Sequence, residues 1–326
     1  MPQAPDGEGG SAGEGGSAGE GSSSQRGLDR GSDSPPARGH PRAGYLGPEG
    51  TFSEEALLGS VDGAAVAPVA LETIRDAVMA VQERAVEWAL VPIENSIEGS
   101  VTVTLDTLSG EASDVAIVGE VVLPVRHCLI AREPVALEEI DTVVSHPHVP
   151  GQCTRFLHEQ LPRARVVAAS STAEAVRLLT EREDPSWAAI GTRLAAEIYG
   201  CAVVREGIQD RKDNETRFVW LSRVDSNAGP PPLRSPSGAT RKTSLVFWGP
   251  GADRAGWLVL CLNEFARREI NLTKIESRPR RERLGHYMFF VDLEGSLRDE
   301  AVSEALTGLQ GLCEQVRVLG SYPAAG

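Results

Sequence analysis

From Gly44 onward the chain alternates short apolar runs with segments of helical periodicity, and this alternation limits the possible folds more than any other feature. Residues 43–47 and 88–93 are short apolar runs typical of buried strands, whereas residues 71–85 repeat apolar side chains at helical spacing. Strands that alternate with helices favour a sheet covered by helices. We therefore predict an α/β fold.

The same reading extends the alternation to residue 224. We expect further strands at 115–123, 126–131, 142–145, 165–169, 187–190, 202–205 and 216–224, and further helices after residue 101 and at 151–160, 172–181 and 192–199.

A stretch rich in Pro, Gly and Ser, residues 225–241, predicts a linker and includes three consecutive prolines. Residues 242–322 follow with the order strand, helix, strand, strand, helix, strand, which fits a ferredoxin-like βαββαβ unit. At the other end, residues 1–42 contain one large aliphatic side chain after Met1, Leu28. Such a segment buries too little apolar surface to offset its ordering entropy, so we expect a disordered low-complexity tail.

Charge and cysteine content narrow the class of protein. The 46 acidic and 32 basic side chains leave a net charge of −14, which disfavours nucleic acid as a partner. The N-terminus lacks an export signal and no window approaches 18 apolar residues, so we expect a cytoplasmic protein off the membrane. The five cysteines are odd in number and form no Cys-x-x-Cys pair, which indicates reduced structural thiols rather than a metal site.

Two segments place polar groups where a strand meets a helix. Residues 44–53 combine three glycines with the hydroxyls of Thr51 and Ser53, so backbone amides there can face a carboxylate; the alternative is an ordinary turn with Ser53 as N-cap. In residues 92–100, Glu94 could exchange a proton if burial raises its pKa, and Asn95 could donate to a carboxylate or hydroxyl. The alternative is that both residues cap the next helix.

Two later segments have the same character. Ser145 and Gln152 offer neutral donors around a His-Pro-His sequence that we interpret as non-metal, and Cys153 is expected to pack the next helix. Residues 209–218 form a polar run that enters a buried strand and brings Thr216 and Arg217 to the point where loop becomes sheet. A hydroxyl beside a cation suits an anionic substrate that loses an oxygen.

Three of these segments together resemble the prephenate dehydratase family, and the likeness covers nearly everything after residue 43. They are Gly-Pro-Glu-Gly-Thr-Phe-Ser at 47–53, Pro-Ile-Glu-Asn-Ser-Ile-Glu-Gly-Ser-Val at 92–101 and Asp-Asn-Glu-Thr-Arg-Phe at 213–218. Three motifs in the right order are far more specific than one. The resemblance implies a lyase that decarboxylates and dehydrates prephenate to phenylpyruvate on the route to phenylalanine, without cofactor or metal.

The resemblance also implies a catalytic domain at 43–224 with two lobes, like a type 2 periplasmic binding protein, and with chain crossings near 123–126 and 207–216. Its catalytic threonine corresponds to Thr216, which would face Glu94 and Asn95, and we expect these three residues to be the catalytic ones. Because neighbouring strand residues point to opposite faces, Arg217 either meets the substrate or supports the loop. The expected substrate-binding residues are Thr51, Ser96, Ser145, Gln152, Arg217 and Phe218. His148, where many relatives have Gln, is not counted among them.

The C-terminal unit is similar to the ACT regulatory domain of these enzymes, through residues 270–279. This implies phenylalanine binding at a subunit interface in a homodimer or homotetramer. Residues 255–258 read Ala-Gly-Trp-Leu instead of Pro-Gly-Ala-Leu, so a large ring lies near the effector, which could be phenylalanine, tyrosine acting in the opposite sense, or both. The expected effector-binding residues are Gly256, Trp257, Leu258, Asn271, Leu272, Glu276, Ser277, Arg278 and Pro279.

Two alternatives stay open. Arogenate could replace prephenate as the substrate, or the chain could be an amino-acid sensor that keeps the cleft and performs no reaction. Intact Thr216, Glu94 and Asn95 argue against the sensor.

Overall fold

The structure is a computed structural model that describes residues 40–62, 65–234, 240–250 and 254–325. The tail predicted for residues 1–42 lies outside the described residues except for its last three, and the first strand begins at Arg42. Residues 235–239 of the predicted linker are outside them as well. Among the described residues, no helix combines the length and the apolar character needed to span a bilayer.

The first lobe is a six-stranded sheet with helices packed against it. Its elements are β1 Arg42–Leu46, α1 Phe52–Ser60, β2 Ala67–Leu71, α2 Ile74–Gln82, β3 Trp88–Asn95, β4 Gly99–Ser100, α3 Thr102–Gly110, β5 Val115–Pro124 and, much later in the chain, β11 Glu215–Arg223. The strand order is β2-β1-β3-β11-β5, and β4 pairs with β3. β1 is parallel to β2 and β3, whereas β11 is antiparallel to β3 and β5.

The strand β2 is absent from the prediction, which began a helix at residue 71. Its five residues alternate between half-buried and exposed positions and include a proline, so they carry little of the apolar signal of a central strand. The helix begins later because the Thr73 side chain caps it, accepting a hydrogen bond from the Asp76 amide at 3.0 Å.

The second lobe is a five-stranded sheet in the order β10-β6-β9-β7-β8. Its elements are β6 Cys128–Ala131, β7 Thr142–Ser145, α4 Thr154–Gln160, β8 Arg165–Ala168, α5 Thr172–Thr180, β9 Trp187–Gly191, α6 Arg193–Tyr199 and β10 Ala202–Glu206. The chain enters this lobe after β5 and returns through residues 207–214 to β11. The predicted two-lobed arrangement with two crossings is therefore confirmed.

The C-terminal unit has the predicted ferredoxin-like order, with a four-stranded antiparallel sheet β13-β14-β12-β15. Its elements are β12 Arg241–Trp248, α7 Trp257–Ala266, β13 Leu272–Pro279, β14 Tyr287–Glu294, α8 Glu300–Gln310 and β15 Gln315–Pro323. One face of the sheet packs on α7 and α8, and their side chains share one apolar cluster.

The other face of this sheet packs on the first lobe. Val246 and Leu319 belong to the same buried apolar cluster as Leu108 and Ile117 of the first lobe. β15 approaches β5 so closely that a Cβ atom on Gly320 would lie 2.1 Å from the Ile117 carbonyl oxygen. A glycine is therefore required at this crossing.

Candidate active site

A cavity of about 540 Å³ lies between the two lobes. It is lined by residues 46–48 and 51–53, Asn95 and Thr216 of the first lobe, and by Gln152 and residues 170–172 of the second, among others. No Lys or Arg is among the described residues that line it. An anionic ligand in this cavity would therefore be held mainly by neutral hydrogen-bond donors.

Thr216 and Asn95 lie side by side because β11 and β3 pair them in antiparallel register. The Asn95 amide nitrogen donates to Thr216 Oγ1 at 2.9 Å and to Asn214 Oδ1 at 2.9 Å. The Asn95 Oδ1 atom accepts from the backbone amides of Ile97 and Glu98. Since both ends of the amide are held, Thr216 Oγ1 is fixed as an acceptor and its own O–H remains available to donate.

Gln152 joins the two lobes across the cavity. Its Nε2 donates to Glu98 Oε1 at 2.9 Å, while its Oε1 accepts from Asn214 Nδ2 at 3.2 Å and lies 3.0 Å from His127 Nε2. Burial lowers the pKa of His127, and the hydrogen bond to Gln152 opposes this in part. The neutral ring then carries its proton on Nε2, facing the Gln152 oxygen.

Two helix N-termini from opposite lobes border the cavity. Thr51 is the N-cap of α1, in place of the Ser53 considered in the sequence, and its hydroxyl donates to the Leu46 carbonyl at 3.0 Å. Ser171 caps α5 and accepts from the Glu174 amide at 2.9 Å. Helix starts carry unpaired amides and a partial positive charge, so this pair suits a ligand with two carboxylates.

The structure brings Thr51, Asn95, Gln152 and Thr216 together around the cavity, as the sequence predicts. Five other expected residues do not line it: Ser96, Ser145, Phe218, Glu94 and Arg217. Ser96 holds the returning loop, where its hydroxyl donates to the Asp213 carbonyl and accepts from the Glu215 amide. Ser145 is fully buried within β7, and Phe218 is buried in the apolar core of the first lobe.

Glu94 and Arg217 lie on the opposite face of the β3–β11 pair from the cavity. Their side chains form an ion pair, with 3.2 Å between Arg217 Nη1 and Glu94 Oε2, and Lys274 Nζ lies 3.5 Å from the same carboxylate. Alternation along a strand explains this placement, since Asn95 and Thr216 occupy the cavity face. The sequence left open whether Arg217 meets the substrate; in the structure its side chain points away from the cavity.

Several cavity residues were missed from sequence. His127, His146 and His148 line the cavity, as do Glu98 and Asn214. Glu98 and Asn214 lie inside the recognised motifs, and His127 stands directly before the buried strand β6 at the first crossing, which is the signal that could have identified it.

Cys153 is buried, and burial followed by the nearby Asp210 carboxylate raises the pKa of its thiol to about 12. A thiol this weakly acidic is a packing residue rather than a nucleophile. The described part of the chain also contains no group of three or more His, Cys, Asp or Glu side chains placed to hold a metal ion.

A second cavity, of about 250 Å³, lies in the C-terminal unit beside Gly256, Leu258 and Tyr287. The Trp257 ring borders it but turns inward, where its Nε1 donates to the Leu312 carbonyl at 2.8 Å. The other predicted effector residues, which belong to β13 or directly precede it, do not line this cavity. These are Asn271, Leu272, Glu276, Ser277, Arg278 and Pro279.

Comparison with known proteins identifies the family of this chain. The family model described as prephenate dehydratase matches residues 43–226. A prephenate dehydratase of Mycobacterium sp. (strain KMS) is 42% identical over 294 residues, which cover 87% of this chain and 89% of that protein. The prephenate dehydratase of Bacillus subtilis (strain 168) is 38% identical over 284 residues, covering 86% and 98%.

Solved structures agree in architecture. A prephenate dehydratase from Arthrobacter aurescens in complex with L-Phe has a TM-score of 0.76 and 39% identity, covering 87% of this chain and 90% of that one. GqqA, described as a novel type of quorum quenching acylase, has a TM-score of 0.74 and 28% identity, covering 87% and 98%.

Proposed function

Because the chain belongs to the prephenate dehydratase family, we propose that it is a carbon–oxygen lyase that converts prephenate to phenylpyruvate in phenylalanine biosynthesis. The observation that carries this proposal is the Asn95–Thr216 pair, held at 2.9 Å on the wall of the cavity between the lobes. It supplies an oriented hydroxyl donor in a cavity bordered by two helix N-termini and lined by polar side chains, of which Glu72 and Glu98 are acidic.

The chemistry asks little of the protein, because the ring of prephenate becomes aromatic when carbon dioxide and the hydroxyl leave. The enzyme must hold two carboxylates, shield the ring carboxylate from water, and donate to the departing oxygen. We assign the carboxylates to the helix starts at Thr51 and Ser171, and the donor role to Thr216. A hydroxyl of high pKa acts here as a preorganised donor rather than as an acid.

The reaction consumes one proton, which leaves in the water molecule formed from the ring hydroxyl. From the sequence, Glu94 and water are the two candidate sources. Since Glu94 lies on the opposite face and pairs with Arg217, we assign the proton to solvent that reaches the cavity, and we place Glu94 among the residues that support β3.

The direct test is to mix the purified protein with prephenate and follow the absorbance of phenylpyruvate. We expect a steady rise that depends on Thr216. A flat trace with tight prephenate binding would instead identify a sensor. A parallel assay with arogenate, read as formation of phenylalanine, tests the substrate; faster turnover of arogenate would change the assigned substrate while keeping the site.

An acylase function is less well supported. Amide hydrolysis needs a nucleophile activated by an adjacent base. Among the described residues, the hydrogen-bond partner of the Thr216 hydroxyl is Asn95, an amide that cannot take a proton.

The C-terminal unit, residues 242–322, is proposed as an ACT domain that follows a linker at 225–241 and binds phenylalanine as a feedback effector. The L-Phe complex of the Arthrobacter relative supports this assignment. Val259, Leu260 and Tyr287 are apolar or aromatic side chains 44–59% exposed on the same unit, and Val259 and Tyr287 line the second cavity. An exposed apolar patch beside a cavity supports a subunit interface there, in a homodimer or homotetramer.

Light scattering on the purified protein, with and without phenylalanine, tests the oligomeric state.

We also propose that the protein is cytoplasmic.

A further inference from the structure

A buried network of charges joins the strand that carries Thr216 to the C-terminal unit. Its centre is Arg217, whose side chain is only 12% exposed. Besides Glu94, the guanidinium reaches Glu120 of β5, with 2.9 Å between Nε and Oε2, and Asp292 of β14, with 2.6 Å between Nη2 and Oδ2. Neither of these two contacts is an aligned hydrogen bond, so charge attraction holds the guanidinium to Glu120 Oε2 and to Asp292 Oδ2.

The C-terminal side of this network is rigidly built. Ser244 of the central strand β12 donates to Asp292 Oδ1 at 2.5 Å and lies 2.6 Å from the Tyr322 hydroxyl. Tyr322 in turn accepts from Arg217 Nη2 at 3.3 Å. Three strands of the C-terminal sheet thus contribute to the group that holds Arg217. A movement of that sheet would therefore move the guanidinium with it.

The backbone next to Arg217 is where β11 is irregularly paired with β3, although its ladder with β5 runs without interruption from Glu215 to Trp220. The pairing of β11 with β3 shifts register between Arg217 and Phe218, so that Arg217 pairs with Glu94 and Phe218 with Pro92. Ile93 is the extra residue, and Pro92 has no amide to donate. The short end of the ladder beyond this bulge carries both Thr216 and Asn95.

From this geometry we propose that Arg217 is a positioning residue: it clamps the β11 end that bears Thr216 to Asp292 and Tyr322, and so links the C-terminal sheet to the donor hydroxyl. The inference rests on the proposed function, because it gives Thr216 the donor role. A donor displaced by 1 Å can lose on the order of 100-fold in rate, so small movements of the clamp are sufficient to change turnover.

The test compares two isosteric changes at the same interface. Asp292→Asn removes one charge from the clamp. Asp106→Asn is the matched control, since the Asp106 carboxylate of α3 pairs with Arg278 of β13 at 2.9 Å and with Arg281, and none of its ion pairs in the described part of the chain involves β11. We expect Asp292→Asn to lower kcat for prephenate about tenfold, with KM changed less than about twofold and with weaker inhibition by phenylalanine. Asp106→Asn should keep kcat within about twofold of the original protein.

Thermal unfolding of both variants separates positioning from stability. Equal losses of Tm together with unequal kcat support the clamp, whereas equal kcat in both variants overturns it. If Asp292→Asn does not fold, Tyr322→Phe removes a single hydroxyl from the clamp and should lower kcat about threefold; an unchanged kcat there overturns the proposal.

Hydrogen exchange of the amides of residues 214–218 gives a readout that does not depend on turnover. We expect faster exchange in Asp292→Asn and unchanged exchange in Asp106→Asn. If the original protein does not act on prephenate, the proposed function fails, and this measurement still decides whether the clamp exists: equal exchange in the two variants overturns it.

Discussion

The two faces of the β3–β11 pair differ in chemistry, although the residues that form them are direct neighbours in the sequence. Asn95 and Thr216 point into the cavity and are joined by a neutral hydrogen bond. Glu94 and Arg217, one residue earlier and one later in their strands, point the other way and belong to a buried ion network. A register change of one residue would exchange the two faces.

The difference follows from what each face meets. The cavity face contacts solvent and a substrate whose charge is lost or redistributed during the reaction. Fixed neutral dipoles can stabilise that charge, and they need no counter-ion when the cavity holds no substrate. The other face is closed off by the C-terminal unit, so each charge there needs a partner. The residues that we assign to the reaction and those that bind the C-terminal unit therefore lie on opposite faces of one sheet.

Breaking the charged face should have the largest effect. Arg217→Met removes the cation that Glu94, Glu120 and Asp292 share. Glu94 keeps Lys274 and Glu120 keeps Lys242, but Asp292 is left buried without a counter-charge, so we expect a loss of about 3–5 kcal/mol in the free energy of unfolding. Urea denaturation measures it. The matched control is Arg177→Met, which removes the partly exposed ion pairs with Glu174 and Glu181 within α5 and should cost less than about 1 kcal/mol. Equal losses would mean that the network contributes no more than a surface pair.

Breaking the cavity face should affect rate rather than folding. Thr216→Ala removes the donor to the departing hydroxyl, and we expect kcat to fall by about 10²–10³ with little change in prephenate affinity. Steady-state kinetics on a protein checked by circular dichroism measures this. Thr216→Ser keeps the hydroxyl and should retain most of the turnover. Near-normal turnover of the alanine variant would remove Thr216 from the mechanism.

Asn95 should have a smaller effect that sharpens the assignment of the cavity face. Asn95→Ala loses the donor to Thr216 and the acceptor for the Ile97 and Glu98 amides, and we expect weaker substrate binding, with KM raised about tenfold. An unchanged KM with a lower Tm would indicate that Asn95 only caps the turn that follows it.

The smallest effect concerns acid stability at the cavity. Because burial lowers the pKa of His127, the folded state favours the neutral ring; this stability is present above about pH 6.5 and is lost as pH falls through the folded pKa. His127→Asn should therefore shrink the drop in Tm between about pH 7.5 and about pH 5 by a few degrees. His146, whose pKa is lowered by burial and then by His148, keeps its own share of the drop.

The control for this experiment is the exposed His158. His158→Asn should leave the dependence of Tm on pH as it is in the original protein. If both variants lose the same amount of pH dependence, burial of His127 is not its cause.

Much of the fold was predictable because periodicity reports which residues are buried. The α/β alternation and the βαββαβ unit follow from it, whereas β2 does not, since a half-exposed edge strand of five residues carries little apolar signal. Motifs likewise located Thr51, Asn95, Gln152 and Thr216. They could not decide which of two neighbours faces the cavity, because that parity depends on how β3, β11 and β5 pair and on what covers the sheet.

The effector residues show the same limit. Arg278 stands in a motif that resembles an effector site, but in this chain its guanidinium bonds with Asp106 of the first lobe. His127 was missed for a related reason. Its neighbours in space, Phe52 and Gln152, are far from it in the sequence, and the two crossings bring them together.

The contact between Gly320 and the Ile117 carbonyl has a consequence for how such a chain can be cut or recombined. The first lobe and the C-terminal unit share one apolar cluster, and β15 crosses β5 with no room for a methyl group. The two units therefore cannot be exchanged independently between proteins. A chain truncated after residue 224 would leave Leu108 and Ile117 without their cover. A chimera would have to take β5 and β15 from the same protein. The C-terminal unit can therefore be exchanged only together with the lobe on which it packs.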